Sequence, residues 1–423
     1  MAARPHRTGV AITGMGVACR LGEDVPSFAD ALFAGRCGYG PWRDMDPRIE
    51  SRVGGDMRGF ALAEWLQSHP LPAALRAKAQ KSFRGSPLGA QLVAAASLQA
   101  MTEAGPVEDP ERFGHVMSAH NVNPTYAYEN AARFAEEPEF IDPLFGLYMF
   151  DTDPLSAVSE LFDLRGPILT VGAACASGNA AILQAMTWLR AGLVDRVLVS
   201  GVASDMDPVV LQGLLMMEAV APGADDPEGK SRPFDVGRNG FVPAEGAAAL
   251  VLEREDDARA RGAAILAVIR GGALTSSACR HSRPDRAGQA RAIRLALADA
   301  GVSPDDITYV NAHGTSTPLG DRSELEAVRE VLGDRVFAVP INATKSMLGH
   351  ALQAAAVLEI VATVVQMRAG RVHGNRNLVA VDPALAAYDL PRETRPADLP
   401  VVLKNAFGFG GINAAVVLAR GDA

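Results

Sequence analysis

The sequence predicts an α/β protein whose strands and helices are layered around one large core. Three observations carry this. Short β-branched runs alternate with helix-forming segments along the whole chain. A strand running into glycine occurs at Val10-Ala11-Ile12-Thr13-Gly14-Met15-Gly16 and restarts at Ala264 to Gly272. The chain, 423 residues and 48% hydrophobic, is long and apolar enough to bury a large interior.

Taken in order, Val10 to Ala18 reads as a strand ending in a glycine turn. Gly14 and Gly16 fall short of a dinucleotide fingerprint because position 19 is Cys. Ser27 to Gly35 reads as a helix with an N-cap and a C-terminal glycine. Leu75 to Arg84 holds Arg76, Lys78, Lys81 and Arg84 and no acid. It is either an ordinary solvated face or a docking patch for an acidic partner. Pro87 to Ala104 is an Ala-rich helix closed by Gly105, and residues 121 to 154 are irregular. Ile168 to Val171 reads as a buried strand, and Asn179 to Arg190 as a helix capped by Gly192. Strands are expected at Arg196 to Gly201, Gly246 to Glu253 and Ile307 to Val310, with a helix over Gln289 to Gly301. The apolar run Ala351 to Met367 contains Gln353, Glu359 and Gln366, which favours a buried helix over a membrane span. Val401 to Lys404 and Ala414 to Leu418 are expected to pair. The two strand restarts point to an internal duplication, with halves 1–265 and 266–423.

A net charge of -9 argues against general nucleic-acid binding. The four cysteines, Cys19, Cys37, Cys175 and Cys279, form no C-x-x-C pair, so neither a zinc site nor a redox motif is indicated. No secretory apolar region opens the chain. A cytoplasmic protein in a reducing compartment, with no membrane and no bound metal, is the expectation.

Three stretches carry chemistry. The first is Gly172-Ala-Ala-Cys175-Ala-Ser-Gly178, where strand gives way to helix. A cysteine at a helix N-terminus is placed where a thiolate is favoured, although a packed structural thiol fits as well. The second pairs His313, after a buried strand in Asn-Ala-His-Gly-Thr-Ser-Thr-Pro-Leu-Gly-Asp, with Lys345 and His350 in Lys-Ser-Met-Leu-Gly-His. Such strand ends present side chains to ligands, whereas a lone histidine there is more often structural. The third is Lys404-Asn-Ala-Phe407-Gly-Phe409-Gly-Gly, whose glycines admit backbone N–H groups to a substrate, or simply make a turn.

Together these motifs resemble the β-ketoacyl-acyl-carrier-protein synthases, closest to type II elongating ketosynthases of fatty acid and polyketide pathways. The stretches Val10 to Val17 and Arg232 to Gly246 share the resemblance, which covers nearly the whole chain. It implies the thiolase fold, an αβαβα five-layered sandwich of two similar halves, the first carrying the cysteine and the second the histidines. Cys175 is then the acyl carrier, while His313 and His350 assist malonyl decarboxylation and steady the enolate. The resemblance pairs Lys345 with Glu324 to hold the histidines and sets Glu359 beside them as a buried acid. It gives the oxyanion hole to the N–H groups of Cys175 and Phe409, with Phe409 also the gate. Thr315, Thr317 and Phe407 bind substrate. No cofactor is tightly bound; phosphopantetheine arrives on the acyl carrier protein. That partner docks at Arg76, Lys78, Lys81 and Arg84. A homodimer is implied, a heterodimer with a related subunit being the alternative.

The chain departs from the family pattern at Ile412, where Thr is usual, at Gln353 for Gly and at Ala278 for Asp. The largest departure is Ile141 to Ala157, where Asp151, Thr152 and Asp153 enter a run that lines the acyl pocket and dimer seam in the family. An unusual acyl chain or an altered dimer partner, and a specialised polyketide pathway rather than bulk fatty acid synthesis, are expected from this. Competing readings are a ketosynthase-fold acyltransferase or malonyl decarboxylase that does not elongate, a non-catalytic partner subunit and a papain-like protease. The complete set Cys175, His313, Lys345 and His350 counts against the partner subunit. The missing Cys-Gly-x-Cys-Trp signature counts against the protease.

Overall fold

The structure, a computed structural model, describes residues 9–203, 205–280 and 282–421. The first five long strands are β1 (Val10–Cys19), β2 (Phe113–Ser118), β3 (Ile168–Val171), β4 (Arg196–Ala203) and β5 (Gly246–Arg254). The next five are β6 (Ala267–Ser276), β7 (Tyr309–Asn311), β8 (Ile341–Asn342), β9 (Val401–Gly408) and β10 (Ile412–Arg420). From the centre outward the first set runs β1-β5-β4-β2-β3, and the second repeats it as β6-β10-β9-β7-β8. In each set the two inner pairings are antiparallel and the two outer ones parallel. The sets meet through a short antiparallel stretch from Val10–Ile269 to Ile12–Ala267.

The helices that build layers on these sheets are α1 (Val25–Phe33), α2 (Ala73–Ser82), α3 (Leu88–Ala104), α4 (Pro124–Glu136), α5 (Thr152–Phe162) and α6 (Ser177–Arg190). They continue as α7 (Arg286–Ala300), α8 (Pro318–Leu332), α9 (Lys345–Leu348) and α10 (Ala355–Ala369). α6 and α10 fill the space between the two sheets. α3 and α5 cover the outside of the first sheet, and α7 and α8 the outside of the second. The result is five layers, helix on sheet on helix on sheet on helix. The segment Leu352–Ala369 is apolar enough to cross a membrane, yet it lies mostly buried in the middle layer.

Local sequence explains several boundaries and corrects others. β1 does not end in a glycine turn; it runs through Gly14 and Gly16 and is buried throughout. A Cβ on Gly16 would lie 2.0 Å from the Ala96 carbonyl oxygen, and one on Gly14 2.1 Å from that of Ala100. The glycines therefore let α3 press its backbone onto the strand. The first helix starts earlier than its pattern implies, because Asp24 is the N-cap and Ser27 completes the capping box. β3 is not buried: as an edge strand it leaves Ile168 and Leu169 about 41% and 40% exposed. With a neighbouring strand on one side only, its side chains are incompletely covered. The irregular region 121–154 contains α4, which begins after Asn123.

Candidate active site

Cys175 sits in a tight turn between β3 and α6. Ala174 holds a left-handed φ of 48°, and the hydroxyl of Ser177 donates to the Ala174 carbonyl at 2.6 Å and accepts from the Ala173 N–H at 2.7 Å. The strain is local and turns the thiol toward the second half of the chain. Gly178 makes this approach possible, since a Cβ there would stand 2.8 Å from the Ala356 side chain on α10.

His313 leaves β7 and His350 follows α9. Their rings are 5.5 Å apart and nearly perpendicular, and Cys175 Sγ and one nitrogen from each lie within 4.8 Å of one another. The Leu352 N–H donates to His350 Nδ1 at 3.1 Å, so the proton of this imidazole is on Nε2, a buried atom with no other partner. The His350 backbone is tied to Val242 and Ala244, which bring it in from beside β5. Lys345 Nζ donates to the His313 carbonyl at 2.7 Å and faces His313 Nδ1 at 3.3 Å, which again assigns the proton to Nε2. Burial pushes both imidazoles well below their usual range, and the ammoniums of Lys345 and Lys404 push the same way. Both are neutral donors at physiological pH.

The charged support differs from the expected pairing. Lys345 forms its ion pair with Glu359, not with Glu324. Glu324 instead accepts the N–H groups of His313 and Gly314, each at 2.8 Å, and the side-chain amide of Asn405 at 3.0 Å. The reason is position: Glu324 on α8 faces the backbone of the His313 loop, whereas Glu359 on α10 lies under the lysine. Lys404, which the sequence offered only as the start of a glycine-rich loop, is fully buried, with Nζ 2.7 Å from Glu359 Oε2. Also unforeseen is Asp321, whose carboxylate accepts from Phe234 N at 2.8 Å and Ser316 N at 3.1 Å, beside Arg238. Burial moves its carboxyl up to about 7.

The thiol does not behave as a helix-terminus cysteine. α6 begins only at Ser177, and burial outweighs the help from Lys345 and from the N–H groups of Cys175 and Phe409. The net effect lifts the Cys175 thiol to about 11. Those two N–H groups lie close enough to the sulfur to favour its ionised form. Cys175, His313 and His350 are the one set of His, Cys and carboxylate side chains, among the described residues, spaced to hold a metal ion. The two ammoniums beside them oppose a further cation.

Above the trio lies a cavity of about 530 Å³ lined by Thr315, Thr317, Phe407, Phe409, Met217 and Arg283, among others. The Thr315 and Thr317 hydroxyls are 3.0 Å apart at its wall. The gate and the adjoining loop are tied together: Ser277 N donates to the Gly411 carbonyl at 2.7 Å, and Asn413 donates to Ser277 at 2.9 Å. Ala278 in that loop has a φ of 52°, and Ile412 packs among small residues around Ala173 and Ala356. His281, three residues after Ala278, is outside the described residues.

The basic stretch divides. Arg76 is half-buried and donates to the carbonyls of His69 and Leu71, and Lys78 donates to the Glu160 carbonyl at 2.7 Å. Lys78, Lys81 and Arg84 are all exposed. The acids of the departing segment have structural work: Asp151 accepts from Asn121 N and Val122 N at 3.1 and 3.0 Å. Around them Phe134, Phe140, Leu147 and Phe150 are exposed.

Comparison with known proteins agrees with this architecture. A sequence model described as "Beta-ketoacyl synthase, N-terminal domain" matches residues 7–258, and "Beta-ketoacyl synthase, C-terminal domain" matches 266–379. The 3-oxoacyl-[acyl-carrier-protein] synthase 2 of Coxiella burnetii is 31% identical over 97% of this chain and 98% of its own length. The polyketide biosynthesis malonyl-ACP decarboxylase PksF of Bacillus subtilis is 31% identical over 97% of this chain and 96% of its own. Among solved structures, a type II polyketide ketosynthase in complex with its acyl-carrier protein (AntDE:AntF) superposes with a TM-score of 0.85 at 26% identity. That match covers 98% of this chain and 99% of the other. With both halves of the fold matched and relatives aligned from end to end, the chain belongs to the β-ketoacyl synthase family.

Proposed function

We propose that this chain catalyses decarboxylative condensation of an acyl group with malonyl-acyl carrier protein in fatty acid or polyketide biosynthesis. One observation carries the reading: a thiol and two neutral Nε2–H imidazoles converge within 4.8 Å at the floor of a cavity. In the first half-reaction Cys175 Sγ attacks an acyl thioester. The carbonyl oxygen is held by the N–H groups of Cys175 and Phe409, and the carrier's thiol leaves with the proton from Cys175. In the second, the malonyl carboxylate leaves as CO2, and His313 and His350 donate to the enolate oxygen. The enolate carbon then attacks the acyl–Cys175 carbonyl, so a C–C bond forms, the C–S bond breaks and the released Cys175 thiolate takes up a proton from water to restore the thiol. Lys345, Glu359 and Glu324 hold the imidazoles. Phe409 gates the acyl chain, and Thr315, Thr317 and Phe407 line the path of a phosphopantetheine arm.

Lys78, Lys81 and Arg84 are the exposed cations of the stretch that can meet an acidic carrier protein, and AntDE:AntF supports such a partner. The open edge of β3 and the exposed Phe134, Phe140, Leu147 and Phe150 support a dimer, with itself or with a related subunit. The repeated strand order supports halves at 1–265 and 266–423, and four free cysteines support a reducing, cytoplasmic setting. The similarity to PksF favours one second reading, a decarboxylase that does not elongate. Intact mass after incubation with acyl-carrier proteins separates them. An acyl adduct lost in Cys175→Ala, followed by a β-ketoacyl product on adding malonyl carrier protein, supports condensation. CO2 release with no adduct supports the decarboxylase.

A further inference from the structure

Lys404 is a cation that the steps above leave unused. It lies in β9, fully buried, five residues before the Phe409 gate. A lysine reaches such a place only with its charge compensated. Its Nζ is 2.7 Å from Glu359 Oε2, while Oε1 of the same carboxylate holds Lys345. It also donates to the Asn405 carbonyl, and the Asn405 side chain donates to Glu324. The Lys404 carbonyl faces Asn179 Nδ2 at 3.4 Å, on the helix that follows Cys175. The contacts close a ring around His313: Lys404 to Glu359 to Lys345 to His313, and back through Glu324 and Asn405 to Lys404.

Lys345 alone gives Glu359 a counter-ion. The second ammonium does more than neutralise it, because it ties the strand that carries the gate to the carboxylate under the imidazoles. We propose that Lys404 is a positioning residue: by gripping Glu359 from the side opposite Lys345, it holds the Lys345–His313 contact and keeps both imidazoles presented to Cys175. The groups facing those imidazoles are Lys345 from α9, Lys404 from β9, Glu324 from α8, Glu359 from α10 and the Cys175 thiol. The two cations disfavour imidazolium and the two carboxylates favour it. Loss of the Lys404 charge therefore lets the imidazoles protonate at higher pH. The catalytic consequence rests on the condensing reading; the charge balance does not.

The test uses the full chain with Lys404→Met, Lys404→Gln and Lys404→Arg. Two profiles are recorded from pH 5 to 10: CO2 release from malonyl-acyl carrier protein, and alkylation of Cys175 by iodoacetamide, which needs no substrate. In the Met and Gln variants the acid limb of CO2 release moves up by roughly one pH unit, as a unit charge ~10 Å away at an effective dielectric of about 20 dictates. Their alkylation profiles also move up, kcat falls about tenfold, and KM for the carrier protein is unchanged. Lys404→Arg, which keeps the cation, retains the parent limb. Parent-like profiles in Met or Gln, or an Arg variant shifted as far as they are, overturn the proposal. If neither neutral variant folds, the Arg limb decides: unshifted supports a charge role, shifted refutes it. A parent chain that releases no CO2 and forms no adduct refutes the condensing reading, while the alkylation profiles still judge Lys404.

Discussion

Glu324→Gln isolates the part of the site that places His313. The carboxylate meets three donors, the N–H groups of His313 and Gly314 and the amide of Asn405. Glutamine keeps one acceptor oxygen and puts an NH2 in place of the other. With its oxygen toward His313 N and Asn405, its NH2 points at the Gly314 N–H. That buried amide loses its acceptor, a cost of ~1–3 kcal/mol, and the two surviving bonds weaken by about 1 kcal/mol each as they lose their charge assistance. If half of a total of about 4 kcal/mol reaches the transition state for decarboxylation, CO2 release falls about 30-fold. The assay is single-turnover CO2 release from malonyl-acyl carrier protein, with acylation of Cys175 followed by intact mass as internal control. The oxyanion donors of Cys175 and Phe409 do not touch Glu324, so acylation stays within about threefold of the parent. CO2 release within threefold of the parent, or both half-reactions falling in step, would refute the assignment of Glu324 to the His313 loop.

Three further outcomes follow from the structure. With the Cys175 thiol held near 11 by burial, its alkylation rate keeps rising well above pH 9, and the stability gained from burying the neutral thiol is present below the ordinary value of 9.0 and is lost toward 11; a plateau by pH 8 contradicts this. Gly16→Ala forces a Cβ to 2.0 Å from the Ala96 carbonyl oxygen and costs ~1–3 kcal/mol or more, lowering the urea midpoint, whereas Gly146→Ala, with nothing within 4 Å, leaves it unchanged or higher. Charge reversal at Lys81 and Arg84 raises KM for the carrier protein, most at low salt, while Arg76→Ala lowers thermal stability by freeing the carbonyls of His69 and Leu71; unchanged KM at low salt returns the first pair to a plain solvated face.

The layered fold was legible because periodicity and glycine mark strand and helix wherever one face is buried. β1, α3, α10 and the β9–β10 pair all lie close to their expected places. The meeting of Cys175, His313 and His350 was legible only through motif resemblance, since residues so far apart in the chain have no local signal of contact. Burial at β3 was misread because an apolar strand looks alike whether covered by its own chain or left at an edge. Partnership was the other failure. Nothing in the spacing of Lys345, Glu324, Glu359 and Lys404 says which carboxylate lies under which ammonium; that depends on α8 and α10 packing on opposite faces of the second sheet. The difference between half-buried Arg76 and exposed Lys78, Lys81 and Arg84 was equally hidden, because charge run together in sequence says nothing of which side chain turns inward.

The last strand of the chain, β10, is an interior strand, lying between β6 and β9. During translation β6 is complete long before it, yet until β10 arrives β6 is paired to the rest of the protein only through the short stretch against β1. Lys404, Phe407 and Phe409 are all carried on the hairpin that finishes with this strand. A ribosome that stops some twenty codons early therefore releases a chain that keeps Cys175, His313 and His350 but lacks Lys404, Phe409 and the last strand, with a raw sheet edge open to proteases and to other chains.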